Sequence, residues 1–420
     1  MHNKSRFYYG WIVALCCSLL AFSINAMGNN SLSFYVEPLS QAFHISRASL
    51  NFCLFTVGAI VRTLIGFFYG LIVRRTGIKP LMWLGCGLAI TAYLIFSSAR
   101  NALVIALGSA CYGLAHALGT FSAYNAIINH WFVRRKGFVL GLVNTSVGLG
   151  GMVINPLASH WIASIGWNAS FLYTALLIAA IALPSLCFIK TTPEQKNLLP
   201  YGAEQQTVSH IQPESAPLLQ LSQALRTLRF WLVALLQFLI GFGVGQAFSN
   251  IVPHLNALHI NIGLLSVLFA LGTTLGNLAS GFVFDRFGLR VLFSSIACLQ
   301  FFGILLAFFL SASAPRFLWG ICVLCIGYGN SLSLGTLNHL IHAVFGQGRT
   351  NFSAIFSCLF AISNAGNILG APFSGWLFDQ TGSYQLSFLL AGILLLAVLS
   401  MAHLAIALGK RTASVSSAHQ

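Results

Sequence analysis

The stretch GFVFDRFGLR, residues 281–290, separates two long apolar runs with a short turn that carries one acid and two arginines. A related stretch, GLIVRRTGIK, stands at residues 70–79 between two other apolar runs. The two stretches share a glycine at the first position, an arginine at the sixth and a glycine at the eighth. Because the same charged turn is used twice, the two parts of the chain are predicted to repeat one structural unit.

A second pair of segments supports this duplication. CYGLAHALGT (111–120) and GYGNSLSLGT (327–336) share five residues at a constant offset of 216, and Gly150 falls on Gly366 at the same offset. Duplicated membrane units are typical of alternating-access carriers, whose substrate site lies near the bilayer midplane between the two halves.

The composition predicts a membrane protein. Of the 420 residues, 57% are hydrophobic and only 6% are charged, whereas a soluble domain carries about 25% charged residues. The formal net charge of +15 comes from basic residues in short groups between apolar runs, so we predict no nucleic-acid partner. The expected fold is an all-α membrane protein in contact with the lipid bilayer.

Twelve apolar segments are long enough to cross about 30 Å of hydrocarbon. The predicted spans cover residues 8–34, 47–73, 80–99, 102–129, 137–160, 167–189, 229–252, 261–284, 289–312, 316–344, 351–378 and 384–408. They predict twelve transmembrane helices in two pseudo-symmetric six-helix halves. The corresponding domains are residues 1–190, a cytoplasmic central loop at 191–228, residues 229–409 and a disordered tail at 410–420.

The basic residues predict the orientation of the chain. With both termini cytoplasmic, 17 of the 21 basic residues lie on the inner side, while Arg47, Arg100 and Arg316 lie on the outer side. This bias follows the positive-inside rule, and the expected location is the bacterial inner (plasma) membrane. The remaining basic residue, Arg62, falls inside a span.

No pattern in the sequence indicates an enzyme. The metalloprotease pattern H-E-x-x-H and the hydrolase pattern G-x-S-x-G are absent, and no paired carboxylates occur within spans. All ten cysteines lie in apolar segments, and the C-x-x-C pair Cys322 and Cys325 has no second pair. We therefore predict no catalytic residue, no cofactor and no metal site, and we interpret the cysteines as packing residues.

The charged turn and the duplicated spans resemble those of the major facilitator superfamily. That resemblance implies a gate at the cytoplasmic side, formed here by Gly70, Arg75, Gly77, Gly281, Asp285, Arg286 and Gly288. Arg74 stands where the motif has Asp. An acid is stabilised at a helix N-terminus and a base is not, so the first copy departs from the expected gate.

Four further segments resemble the oxalate–formate exchanger and monocarboxylate porter branch of this superfamily. They are RFYYGWIVAL (6–15), YVEPLSQAFHISRASL (35–50), NHWFVRRKGFVLGL (129–142) and GWLFDQTGSYQLSF (375–388). That branch carries cationic residues in spans 8 and 11, and this chain has no Lys or Arg in either. We therefore do not predict oxalate as the substrate from this resemblance.

Arg62 is the main candidate for a substrate contact. It lies in TVGAIVRTLIGFFYG (56–70), near the middle of span 2, and none of the six acids of the chain lies mid-span. A guanidinium stays charged and binds a carboxylate through two parallel hydrogen bonds. Two other interpretations stay open: a structural or gating role on the stripe of glycines that includes Gly58 and Gly66, and simple exposure to lipid.

The resemblance implies that spans 1, 4, 7 and 10 line the central cavity. The further substrate-binding candidates on these spans are Tyr35, His116, Tyr124, Gln246, Asn250 and Tyr328. Core packing with a satisfied hydroxyl is the alternative for each tyrosine, and a buried, hydrogen-bonded imidazole is the alternative to a proton-carrying His116.

The leading functional hypothesis is a secondary transporter of a small organic anion, a monocarboxylate or related carboxylate. Its further partners would be a proton or a counter-transported anion, and we take a monomer as the default. Efflux of a larger amphipathic solute, such as a drug or a siderophore, is the alternative carrier hypothesis. A sensor with a carrier fold is a remote third, because the sequence offers no signalling domain.

Overall fold

A computed structural model of the chain describes residues 8–203, 221–257, 262–311, 313–345 and 352–418. The chain divides into two compact units, Met1–Ala216 and Pro217–Gln420. The division falls inside the polar interval 191–228. The regular secondary structure of the described residues is helical, apart from a single β-bridge between Phe132 and Tyr201.

The described part of the first unit contains nine α-helices. They are α1 (Gly10–Leu20), α2 (Gly28–Asn30), α3 (Val36–Phe43), α4 (Arg47–Asn51), α5 (Val57–Thr76), α6 (Ile78–Ser97), α7 (Ala102–Gly119), α8 (Phe121–Trp131) and α9 (Lys136–Phe188). Two π-helical turns, Ala21–Met27 and Phe52–Thr56, continue α1 and α4, and two 3₁₀ turns cover Ser31–Tyr35 and Pro193–Lys196. The first two predicted spans are therefore irregular helices.

Seven α-helices form the described part of the second unit. They are α10 (Leu221–Ala224), α11 (Leu228–Ala257), α12 (Ile262–Phe309), α13 (Arg316–Gly329), α14 (Ser331–Phe345), α15 (Phe352–Thr381) and α16 (Gln385–Ala418).

Nine helical segments of the described residues are long and apolar enough to cross a membrane. Two of them cover two predicted spans each, because α9 is broken at Gly166 and α12 at Gly288. Every predicted span overlaps a described helix. One boundary differs: α16 continues to Ala418, whereas the sequence predicts a disordered tail from residue 410. A helix that is already formed extends at little cost per residue.

The glycines of the charged turns have a conformational role. Gly77 has φ +81° and ψ 166°, and Gly288 has φ +81° and ψ 177°. Residues with a side chain rarely adopt this positive φ, whereas glycine adopts it readily. The backbone thus makes the same reversal at equivalent positions of the two units, which explains why both copies of the sequence motif contain this glycine.

The two units also repeat several close helix contacts. In the first unit Gly113 of α7 packs against the backbone of Gly58, and in the second unit Gly327 packs in the same way against Phe269. Gly150 lies against the carbonyl of Phe22, and Gly366 lies against that of Phe238. Phe22 and Phe238 are themselves 216 residues apart, so the offset found in the sequence also relates contacts in space.

The start of the predicted central loop packs onto the first unit. Tyr201 N–H donates to the Trp131 carbonyl at 2.9 Å, and the Val133 N–H donates to the Tyr201 carbonyl at 3.1 Å. The Tyr8 hydroxyl donates to the Leu199 carbonyl at 2.9 Å. Residues up to Ala203 therefore belong structurally to the first unit.

The close contact between α5 and α7 predicts that adding one methyl group at Gly113 lowers the stability of the protein. In Gly113→Ala the added Cβ would clash with the backbone of Gly58, so the helices have to move apart. We expect a loss of about 1–3 kcal/mol, the cost of overpacking, which exceeds the better helix propensity of alanine. The measurement is the thermal unfolding midpoint of the purified protein in detergent.

Gly87→Ala is the control for this experiment. Gly87 lies on α6, and a Cβ added there would have no neighbour within 4 Å. Its unfolding midpoint should stay the same or rise slightly. Equal midpoints for the two variants would show that the close approach of α5 and α7 does not limit stability.

Candidate functional site

Arg62 lies near the middle of a long span. The candidate membrane segment runs from Ser49 to Thr76, so Arg62 is 13 residues from one end and 14 from the other. At 1.5 Å per residue this is about 20 Å from either end. Its Nε atom is sealed from solvent and has no hydrogen-bond partner among the described residues, while the residue as a whole is half-buried. The charge is therefore held at mid-depth.

One face of α7 supplies the polar groups beside Arg62. Ser109, Tyr112 and His116 follow one another at spacings of three and four residues, so they share a face of the helix. Gly113 on the same face allows α5 to approach closely. Arg62 is one helical turn beyond Gly58, so the glycine contact brings it to this polar face.

The polar groups of α7 are engaged by two irregular turns. The Ser109 hydroxyl donates to the Leu54 carbonyl at 2.7 Å and accepts from the Gly58 N–H at 3.0 Å. The Tyr112 hydroxyl donates to the Ile24 carbonyl at 2.6 Å. Leu54 and Ile24 both lie in π-helical turns, where the regular hydrogen-bond ladder is disrupted. These side chains thus satisfy carbonyls that a regular helix would satisfy itself.

Arg62 interacts electrostatically with two residues of this face, Tyr112 and His116. Neither is an acid, and Tyr112 already uses its proton on the Ile24 carbonyl. The helices α1, α5 and α7 contain no Asp or Glu. These three helices therefore offer the guanidinium hydroxyl and imidazole groups but no counter-charge.

His116 is fixed by the next turn of its own segment. The Thr120 hydroxyl donates to the His116 carbonyl, and the Thr120 oxygen lies 3.3 Å from the His116 Nδ1. Since the hydroxyl proton is used, the oxygen accepts from Nδ1–H, which leaves Nε2 as the basic ring nitrogen. In this tautomer the Nε2 of His116 is the ring nitrogen without a proton.

The tyrosines chosen from the sequence have different surroundings. Tyr35 is completely buried, stacks on Phe171 with ring centroids 3.8 Å apart, and shares a 2.7 Å hydrogen bond with Ser170. Tyr124 is also buried, but its hydroxyl has no hydrogen-bond partner in the described part of the chain. Because Tyr35 is engaged in core packing, we leave it out of the proposed site.

The candidates of the second half lie in the second unit. Gln246 is buried on α11, and Tyr328 is half-buried on α13. The side chain of Asn250 lies outside the described residues, although its backbone belongs to α11. The structure does not bring these residues together with Arg62 in one unit.

The position equivalent to Arg62 in the second unit is Thr273, at the offset of 211 that relates the charged turns. The Thr273 hydroxyl lies 3.1 Å from the Gly327 carbonyl and 3.2 Å from the Phe269 carbonyl. Gly327 and Phe269 are the residues in close helix contact there. The polar group at this position thus joins two helices in the second unit, whereas the Nε of Arg62 makes no such bond among the described residues of the first.

The residues of the predicted gate lie at helix ends. Gly70 and Gly281 are buried, Arg75, Asp285 and Arg286 are exposed, and Gly77 and Gly288 form the reversals described above. The prediction that Arg74 is unfavourable at a helix N-terminus is wrong. Arg74 lies in the last turn of α5, and a cation is favourable at a helix C-terminus.

The family model of the Major Facilitator Superfamily matches residues 18–360. The chain belongs to this superfamily. It is therefore a multi-pass integral membrane protein from a family of transporters rather than enzymes, and the resemblance inferred from the charged turns is confirmed.

Individual relatives are distant. An uncharacterized MFS-type transporter, YcxA of Bacillus subtilis, is 24% identical over 68% of both chains. The human monocarboxylate transporter 11 is 26% identical over 93% of this chain and 81% of its own length. Among solved structures, the Escherichia coli fucose:proton symporter FucP aligns with a TM-score of 0.70 at 16% identity, over 95% of this chain and 99% of its own. The structural match shows the fold alone.

Sequence reasoning missed Tyr112 and Ser109. Both lie beside a glycine-lined contact, where hydroxyl side chains also occur as ordinary packing residues. A signal was present for Tyr112, because it is one of the five residues shared by the repeats 111–120 and 327–336. Ser109 gave no such signal, since its role depends on a π-helical turn that the hydrophobic pattern does not reveal.

The hydrogen bond of Tyr112 gives a prediction about stability. In Tyr112→Phe the ring remains, but the Ile24 carbonyl loses its donor in a buried place. We expect a loss of about 1–3 kcal/mol, the cost of leaving a buried acceptor unsatisfied. The check is again the thermal unfolding midpoint in detergent.

Tyr173→Phe is the matched control, because Tyr173 is 46% exposed on the same unit. Its midpoint should not change. A Tyr112→Phe variant as stable as this control would mean that water satisfies the Ile24 carbonyl and that the irregular turn does not depend on α7.

Proposed function

We propose that this chain is a secondary transporter that moves a small monocarboxylate, or a related carboxylate, across the membrane by alternating access. Membership of the superfamily supports transport as such. The carboxylate is supported by the residues around Arg62, and the names of several distant relatives agree with it.

The observation that carries the proposal is the unbalanced guanidinium of Arg62. A charged side chain at the centre of a span costs at least ~2.5 kcal/mol on insertion scales, and such residues usually mark a substrate pathway. A guanidinium cannot lose its proton to avoid this cost. Because α1, α5 and α7 offer no acid, a transient anion is the partner that would neutralise the charge.

The contrast with Thr273 argues against a purely structural role. If the position only served to join two helices, a hydroxyl would be enough, as in the second unit. An arginine at the equivalent place brings a charge that helix packing does not require. The geometry of its fork suits a carboxylate, which accepts two parallel hydrogen bonds from it.

The number of cations supports a substrate with a single carboxylate. Arg62 is the only Lys or Arg in the interior of a predicted span. A dicarboxylate would bring a second negative charge into the apolar interior without a matching cation, which is costly. Monocarboxylate transporters 11, 12 and 13 of mammals are among the relatives, and this agrees with a monocarboxylate.

Two coupling modes fit the site. In exchange, one anion replaces another on Arg62, and the guanidinium is neutralised in both directions. In symport, the proton travels on the substrate acid or on His116, whose Nε2 carries no proton in the tautomer described above. Counterflow without a pH gradient would identify exchange, and uptake that requires such a gradient would identify symport.

We also propose that the protein lies in the bacterial inner membrane with both termini cytoplasmic, as a monomer. The distribution of basic residues supports this orientation, since 17 of 21 fall on one side and 3 on the other. The similarity to a Bacillus subtilis transporter supports a bacterial membrane.

Transport in proteoliposomes tests the proposal. A panel of mono- and dicarboxylates, with neutral and cationic compounds beside them, should give saturable flux of a monocarboxylate. Arg62→Gln should lower this flux about tenfold or more, as expected for the loss of charge-assisted hydrogen bonds. Arg62→Lys should be intermediate, because it keeps the charge but loses the fork.

Arg100→Gln is the control, because Arg100 is exposed after the end of α6. It should transport like the unmodified chain. Flux of neutral or cationic compounds alone, or equal flux in the Arg62→Gln and Arg100→Gln variants, would contradict the proposal.

A further inference from the structure

A groove of about 430 Å³ lies on the second unit between α12 and α16. Its lining consists of Arg290, Val291, Ser294, Ser295, Cys298 and His403. The five residues from α12 follow the spacing i, i+1, i+4, i+5 and i+8, so they form one continuous face of that helix.

The groove runs from a membrane face towards the interior. Arg290 lies two residues after the reversal at Gly288. His403 is 18 residues from the start of α16 at Gln385, about 27 Å along the helix, which is close to the hydrocarbon thickness. Cys298 is eight residues from Arg290, or about 12 Å deeper. The polar end of the groove is thus at headgroup depth and the other end at the depth of the acyl chains.

The lining of the groove is mostly apolar, and its membrane-face end carries the exposed cation Arg290. No carboxylate among the described residues lines the groove. Ser294 Oγ lies 3.0 Å from His403 Nε2, and in either tautomer of the neutral ring this pair keeps one N–H or O–H donor for a third group. A guanidinium beside an additional donor is suited to the oxygens of a phosphate.

One wall at this end is apolar and exposed, since Val291 is 46% exposed. Lipid is the solvent in which such surfaces are stable. A free phosphate ion would use only the polar end of the groove, whereas a phospholipid would also cover the apolar walls.

We infer that this groove binds an anionic phospholipid, with the phosphate at Arg290, Ser294 and His403 and an acyl chain along Val291 and Cys298. Basic pockets between transmembrane helices on a membrane face are a recognised setting for lipid headgroups. The site lies in the second unit and does not involve Arg62, so it is independent of the proposed transport function.

Native mass spectrometry of the delipidated, full-length protein in detergent tests this inference. Phosphatidylglycerol should bind more tightly than phosphatidylcholine, whose choline compensates the phosphate charge. Arg290→Gln should weaken phosphatidylglycerol binding about fivefold, the effect of one basic residue at an anionic surface. Ser294→Ala should weaken it less, because Arg290 and His403 remain.

Arg316→Gln is the matched control, since Arg316 is an exposed arginine at the start of α13 and does not line the groove. It should bind phosphatidylglycerol like the unmodified chain. Equal binding of the two lipids, or equal loss in the Arg290→Gln and Arg316→Gln variants, would overturn the inference. Displacement of the lipid by glycerol 3-phosphate would also overturn it, because the site would then recognise a soluble phosphate.

Discussion

The charge of Arg62, held about 20 Å from either end of its span, is the constraint on which the proposed site depends. Two polar side chains of the facing helix α7, Ser109 and Tyr112, donate their protons to backbone carbonyls. Their protons are therefore used within the fold, and as neutral hydroxyls they cannot supply a counter-charge. Since α1, α5 and α7 contain no Asp or Glu, the neutralising group has to come from outside these three helices, and a carboxylate that binds and leaves would meet this requirement.

The irregular turns explain why the hydroxyls of Ser109 and Tyr112 are hydrogen-bonded to backbone carbonyls. A π-helical turn disrupts the regular hydrogen-bond ladder, and in the membrane an unsatisfied carbonyl is expensive. The carbonyls of Ile24 and Leu54 are satisfied by a single neighbouring helix, α7. That helix can reach them because Gly58 and Gly113 remove two side chains from the contact. Packing, backbone hydrogen bonding and the position of Arg62 thus depend on the same pair of helices.

Much of the fold could be predicted from the sequence, because a membrane span leaves a strong signal in hydropathy. The duplication was also detectable, since the glycines at 77 and 288 have the same positive φ and recur in the same motif. The irregular turns could not be predicted, because apolar segments show the same composition whether the helix is regular or π-helical. For this reason Tyr112 and Ser109 were missed.

Individual side chains of the site were harder to predict than the helices. Tyr35 and Tyr124 look alike in sequence, each an aromatic residue within an apolar span. The structure separates them: Tyr35 stacks on Phe171 and bonds to Ser170, whereas the Tyr124 hydroxyl has no bonded partner in the described regions. Such a difference depends on neighbours that are more than 100 residues away in the chain. Arg62 could be identified from the sequence because a charged residue in the middle of an apolar span is unusual whatever its neighbours are.

Ligand binding to the purified protein tests directly whether Arg62 binds a carboxylate, without the complications of transport. The measurement is the shift of the thermal unfolding midpoint caused by short monocarboxylic acids and by their amides, which have the same shape but no charge. We expect that the acids raise the unfolding midpoint and that the amides do not. In the Arg62→Gln variant, acids and amides should have the same effect. Equal stabilisation by an acid and its amide, or an acid effect that survives Arg62→Gln, would contradict this expectation.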